Sequence, residues 1–125
     1  LVSDKEQSSY IKPFVDKIDQ QIMFAEKSWG RFRVLDIEDE SMTIKVTLMP
    51  GHKMNYHSHE HRDEVWTIIQ GNGQAILDDE VKNVRPGDVL TMKAGCKHTI
   101  AAVTELKLIE VQLGKEISVK DKIKY

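Results

Sequence analysis

Residues 42–49 alternate: Met42, Ile44, Val46 and Leu48 form one set, and Thr43, Lys45, Thr47 and Met49 the other. A period of two is the pattern of a half-buried strand, and Pro50-Gly51 stops it. Similar short stretches recur along the chain. Residues 31–37 read as a strand after Trp29-Gly30, with Asp39-Glu40-Ser41 as the next turn. Residues 65–69 read as a strand and Gly71-Asn72-Gly73 as a hairpin. Residues 74–77 and 81–84 flank the polar turn Asp78-Asp79-Glu80. Arg85-Pro86-Gly87-Asp88 is a further turn before a strand at 89–92, and strands at 98–103 and 106–113 complete the series. Many short strands separated by Gly and Pro turns predict an all-β sandwich or barrel.

The stretch 51–71, GHKMNYHSHEHRDEVWTIIQG, carries four of the five histidines, His52, His57, His59 and His61, together with Glu60, Asp63 and Glu64. In an extended strand His57 and His59 point the same way. The fifth, His98, lies in KAGCKHTI. Two imidazoles on one face, a nearby carboxylate and a distant third imidazole suit a divalent Zn, Mn, Fe, Co or Ni ion, among which ligand type does not choose. Parity leaves the fourth ligand open. His61 shares the face of His57 and His59, whereas Glu64 joins them only if a turn or bulge falls between His59 and Glu64. His52 reads as a solvated residue near a turn.

The spacing from Gly51 through His57-x-His59 and Glu64 to Gly71 resembles the first sequence motif of the cupin superfamily. Gly87, Lys93-x-Gly95 and His98 resemble the second, with Lys93 where that motif usually has Pro and Ala102 where it often has Asn. EKSWGRFRVL at 26–35, HEHRDEVW at 59–66 and LIEVQLG at 108–114 resemble more narrowly the type II phosphomannose isomerase domain, usually the C-terminal part of bifunctional mannose-1-phosphate guanylyltransferase/mannose-6-phosphate isomerases. His57 stands where that family often has Gln. The family's C-terminal acidic run followed by Arg has its counterpart only in SVKDKIKY at 118–125. The opening LVSDKEQSSYIKPFVDKI resembles the segment joining the two enzyme parts.

The resemblance implies a cupin-type double-stranded β-helix (a jelly-roll barrel) and the ligand set His57, His59, Glu64 and His98 around one divalent metal ion. It also implies interconversion of mannose 6-phosphate and fructose 6-phosphate, a proton transfer between C1 and C2 through an enediol. Such chemistry needs a base within reach of the carbon-bound proton. Glu110 shares strand parity with Leu106, Leu108 and Gln112, so it and Gln112 enter the cavity if that face lines the barrel; His61 is a second candidate base. A sugar phosphate needs cations, and Arg62, Lys93 and Lys97 lie nearest the histidines in sequence. Trp66 reads as core or as a wall for the sugar, and Cys96 as a packed thiol. Two other readings remain open: a non-catalytic sugar-binding or dimerisation module, and another metal cupin such as a dioxygenase.

At 125 residues the chain suits a single domain. Its expected parts are a helical and linker segment (1–28), a barrel (29–114) and a Lys-rich tail (115–125). In the first, Ser3-Asp4-Lys5-Glu6 has the capping-box pattern. Ile11, Phe14, Val15, Ile18 and Ile22 recur at helical spacing, and Pro13 predicts a kink or a restart near Lys12. A net charge of −2 gives no footprint for nucleic acid or membrane. One cysteine excludes an internal disulfide framework and fits a reducing, cytoplasmic setting. The expected partners are a small sugar phosphate, a nucleotidyltransferase domain of the same parent chain and a second copy in a homodimer. No nucleotide-cradling Gly-rich loop is present for guanylyl transfer.

Overall fold

The structure, a computed structural model, describes residues 23–118 and 120–125. The expected N-terminal helix lies outside them. Among the described residues, eleven strands run β1 (Phe24–Lys27), β2 (Gly30–Ile37), β3 (Ser41–Leu48), β4 (His57–Ser58), β5 (Asp63–Gln70), β6 (Gly73–Leu77), β7 (Glu80–Val84), β8 (Val89–Met92), β9 (His98–Ala102), β10 (Leu106–Leu113) and β11 (Ile123–Lys124). All pairings are antiparallel. One sheet has the order β1-β2-β3-β10-β5-β8, the other β11-β4-β9-β6-β7. From β3 onward the chain crosses between the two sheets at every step except the β6–β7 hairpin, as in a double-sheet jelly roll.

Alternation decides which side chains fill the space between the sheets. On β3, Met42, Ile44, Val46 and Leu48 are buried. On β5 the buried set is Glu64, Trp66 and Ile68, and on β10 it is Leu106, Leu108, Glu110 and Gln112. The second sheet supplies Ala75, Val84, Ile100 and Ala102 to the same core. Apolar residues occupy most of this interior. His57, His59, Arg62, Glu64, His98, Glu110 and Gln112 are buried polar or charged exceptions.

The sheets extend beyond the expected barrel on both sides. The first takes in Phe24–Lys27, ahead of residue 29, and the second takes in Ile123–Lys124 from the expected tail. The latter pairs with β4, Ile123 opposite Ser58 and Lys124 opposite His57, so the end of the chain is part of the wall beside the histidines.

Two motif glycines have left-handed backbone but different surroundings. Gly71 (φ +83°) follows β5, and a Cβ there would overlap the main-chain carbonyl of Glu105; Gly51 (φ +77°) has open space around it. Gly51→Ala should therefore cost about 1 kcal/mol of backbone strain, whereas Gly71→Ala should cost at least about 3 kcal/mol because backbone must also move. Urea unfolding of the two variants checks the order.

Candidate metal centre

The cluster starts from a cross-strand pair. His57 on β4 lies directly opposite His98 on β9, and their ring centroids are 4.3 Å apart. His59 follows just after β4, with centroids 4.9 Å from His57 and 5.3 Å from His98. One ring nitrogen from each of these three buried histidines lies within 4.8 Å of the others.

Each ring is oriented by its second nitrogen. His57 Nδ1 meets the Asn55 carbonyl at 2.6 Å, His59 Nδ1 the Asp121 carbonyl at 2.5 Å, and His98 Nδ1 the Cys96 carbonyl at 2.9 Å. A carbonyl only accepts, so Nδ1 carries the hydrogen and Nε2 is left with its lone pair when the ring is neutral. This is the second-sphere arrangement that fixes imidazole ligands.

Glu64 enters from the other sheet. Its Oε2 lies 3.1 Å from His59 Nε2, and its Oε1 3.2 Å from His98 Nε2. The latter pair is out of hydrogen-bonding alignment, and both atoms are buried without a hydrogen-bond partner. Arg62 Nε donates to Glu64 Oε2 at 2.9 Å, and Arg62 Nη2 lies 3.2 Å from His59 Nε2. Burial opposes the charge on Glu64. The neighbouring imidazoles and the Arg62 guanidinium outweigh it and hold the carboxyl well below the usual range. Burial, then the charge of His98, pushes His57 down to about 3. His98 goes the other way: burial lowers it, but Glu64 raises it further.

Three converging imidazole nitrogens, a deprotonated carboxylate and two orphaned acceptor atoms fit a divalent cation. His57, His59, His98 and Glu64 would hold it.

Beside the cluster lies a second acid. Glu110 pairs across the sheet with Trp66, and Gln112 with Glu64. Trp66 Nε1 donates to Glu110 Oε1 at 2.8 Å, and Gln112 Nε2 donates to Glu110 Oε2 at 2.8 Å. Burial, reinforced by the charge of Glu64, pushes Glu110 up to about 7 despite those two bonds. The Trp66 ring, with no exposed surface, stands edge-on to His98 at 5.4 Å.

The family model of the mannose-6-phosphate isomerase C-terminal domain matches residues 16–125 of this chain. The chain belongs to that family. It is 26% identical over 134 residues to a putative mannose-1-phosphate guanylyltransferase of Vibrio cholerae, a match covering 100% of this chain and 29% of the relative. It is 28% identical to a mannose-1-phosphate guanylyltransferase of Salmonella muenchen, covering 99% and 28%. The chain thus spans less than a third of the length of the curated relatives it matches. A solved RmlC-like cupin from Shewanella frigidimarina superposes with a TM-score of 0.67 at 19% identity, covering 75% of this chain and 85% of that one. The fold is the all-β cupin double-stranded β-helix.

In this member of the isomerase C-terminal family, the remaining candidate residues are dispersed. The His61 side chain is 61% exposed, 4.0 Å from Glu60, and outside the imidazole cluster. Arg62 is buried against Glu64 rather than open to a ligand. Lys93 is exposed beside Asp63 at 3.6 Å, and Lys97 Nζ rests 4.6 Å from the centre of the Tyr125 ring. His52 is exposed, with Nδ1 near the Pro50 carbonyl. Burial and then the Asp78 charge push the Cys96 thiol up to about 11, away from ligand or nucleophile chemistry. Sequence reading overlooked Asp121, which carries no local pattern and contacts the cluster only through the fold. Among the described residues, no helix is long and apolar enough to cross a membrane.

Arg62 and a metal ion compete for the same acceptor atoms. Arg62→Met removes the competitor and leaves the buried Glu64 anion with only its imidazole neighbours, which should destabilise the metal-free protein by about 3 kcal/mol. The rise in melting temperature on adding Zn(II) should accordingly be larger in Arg62→Met than in wild type, and smaller in His98→Ala. Thermal melts with and without metal check both.

Proposed function

We propose that this domain is a metal-dependent aldose–ketose isomerase that interconverts mannose 6-phosphate and fructose 6-phosphate. The observation that carries the reading is the placement of two carboxylates in one barrel interior: Glu64, 3.1–3.2 Å from His59 and His98, and Glu110, held by Trp66 and Gln112 and raised to about 7. Family membership supports the substrate class. When bound at His57, His59, Glu64 and His98, a divalent ion supplies Lewis-acid stabilisation of negative charge on a sugar oxygen.

Glu110 is the base. Going from aldose to ketose, its carboxylate takes the proton from C2, and the resulting acid returns a proton at C1. A group balanced near neutrality serves both directions. Trp66 and Gln112 each occupy one lone pair of a different Glu110 oxygen, so they fix the plane of the carboxylate and leave a second lone pair on each oxygen. Lys93 and Lys97 bracket the loop leading into His98 and are the cations available to a phosphate. The guanylyltransferase named in the relatives is proposed to reside in chain beyond the matched third. This domain would serve as its covalent partner and as one half of a homodimer.

A second reading, a non-catalytic binding module, is favoured by the close enclosure of the cluster, with Glu64 1% and His98 2% exposed. One assay separates them. Chelated protein should lose mannose 6-phosphate turnover, and added divalent metal should restore it; full turnover without metal sinks the isomerase proposal. Ligand-induced thermal stabilisation without product would favour the binding module.

Glu110→Gln should lower kcat by about 10²–10⁴-fold. It should also change stability in a pH-dependent way. The folded value of about 7 exceeds the ordinary 4.5, so burial of the neutral acid is tolerated below the latter, and the penalty grows as pH rises through the former. In metal-free protein at pH 8, Glu110→Gln should therefore be more stable than wild type by on the order of 2–3 kcal/mol. The difference should vanish near pH 4–5, as read by chemical denaturation.

A further inference from the structure

We infer that Asp121, near the end of the chain, is the positioning residue that builds the ligand-bearing turn and selects Glu64 as the fourth ligand. This rests on the metal reading above and not on the isomerisation.

Strand parity alone puts Glu64 on the opposite face from His57 and His59. The backbone must therefore reverse within residues 59–62, between the end of β4 at Ser58 and the start of β5 at Asp63. In a strand, successive N–H groups point in opposite directions. Here the N–H of Glu60 donates to Asp121 Oδ1 at 2.8 Å, and the N–H of His61 donates to Asp121 Oδ2 at 2.9 Å. Two successive N–H groups turned onto one anion form a concave nest. The carboxylate thus stabilises the non-extended geometry that turns His61 outward and brings Glu64 inward.

The same residue acts on a second ligand. Its main-chain carbonyl accepts the Nδ1 hydrogen of His59, which directs Nε2 towards the cluster. Asp121 is itself held in place. Lys124 and Ile123 pair with β4, the Tyr125 N–H donates to the Tyr56 carbonyl at 2.9 Å, and the Tyr125 and Ser58 hydroxyls are 2.8 Å apart. Arg62 Nη1 adds a bond to the Ser118 carbonyl at 3.1 Å. One residue from the end of the chain therefore fixes the tautomer of one ligand and the facing of another.

The test uses Co(II) as the probe on the full chain. Its uptake is followed by visible d–d absorption, and the His59 tautomer is read in metal-free protein by long-range ¹H–¹⁵N NMR. Asp121→Ala should bind Co(II) about 10- to 100-fold more weakly, with altered d–d bands and a smaller fraction of His59 carrying its hydrogen on Nδ1. Tyr125→Phe, which loosens the chain end but keeps the Asp121 carboxylate, should stay within about threefold of wild type with unchanged bands. Asp121→Asn retains one acceptor oxygen and should fall between them; if Asp121→Ala proves unfolded by circular dichroism, this variant carries the comparison. Wild-type affinity and an unchanged spectrum in the folded Asp121 variants would overturn the inference. Absence of any Co(II) binding by wild type would overturn the metal reading, and this inference with it.

Discussion

Three inward imidazoles give their Nδ1 hydrogens to main-chain carbonyls, and everything at the polar end of the barrel depends on that bias. The carbonyls belong to Asn55, Asp121 and Cys96, from three separate parts of the chain. Once Nδ1 is committed, the neutral rings present lone pairs to each other and to Glu64 at 3.1–3.2 Å. Acceptors facing acceptors in a low-dielectric interior repel. A cation between them removes the conflict, whether a proton on His98, the Arg62 guanidinium or a metal ion. The opposite displacements of His57 and His98 express the same frustration. Of these two rings, His98 stands against Glu64 and is favoured as imidazolium, and that charge further disfavours protonating His57.

The second acid owes its character to the first. Glu110 is buried like Glu64, but no arginine or imidazole is paired with it; it receives only two neutral donors. Neutral donors offset less desolvation than charged ones, and the Glu64 anion adds repulsion. Two carboxylates on neighbouring strands thus diverge, one locked as an anion and one balanced near neutrality. The divergence follows from where cations stand rather than from exposure, since both side chains are buried.

β3, with its clear period of two, was legible in the sequence almost to its ends because burial on one face imposes alternation, and β5 and β10 were legible as apolar stretches bounded by turn residues. β4 and β11 were not, because two residues carry no period. The Lys-rich stretch from 115 onward reads as a tail by composition. It is held instead by main-chain pairing and by Asp121, and such bonds are nearly indifferent to side-chain identity. The ligand set was legible only in part. The shared face of His57 and His59 follows from parity, whereas parity alone does not rank Glu64 against His61; the cupin resemblance favours Glu64, and the physical reason is the backbone reversal after His59. The anion that stabilises that reversal lies 61 residues from Glu60, beyond any local pattern. Arg62 illustrates the converse: a basic residue beside the motif suggests a phosphate contact, but its neighbours Glu64 and Ser118 become visible only in three dimensions.

The candidate ligands are divided between the two layers. His57 and His98 belong to the five-stranded sheet, Glu64 to the six-stranded one, and His59 to the connection between β4 and β5. An ion held by all four would be a cross-brace between sheets that otherwise meet through side-chain packing. Its binding free energy would add to the cohesion of the barrel, and any spreading of the sheets would weaken the site. Leu48, Ile68, Ile100, Leu106 and Leu108, each 0–1% exposed, set the separation of the layers by close packing in the apolar interior. The polar end inherits that separation. A cavity left in the packed region, for instance by Leu108→Ala, lets the sheets shift and so reaches the ligand geometry without touching a ligand. In this fold the hydrophobic core is the ruler against which the candidate metal centre is built.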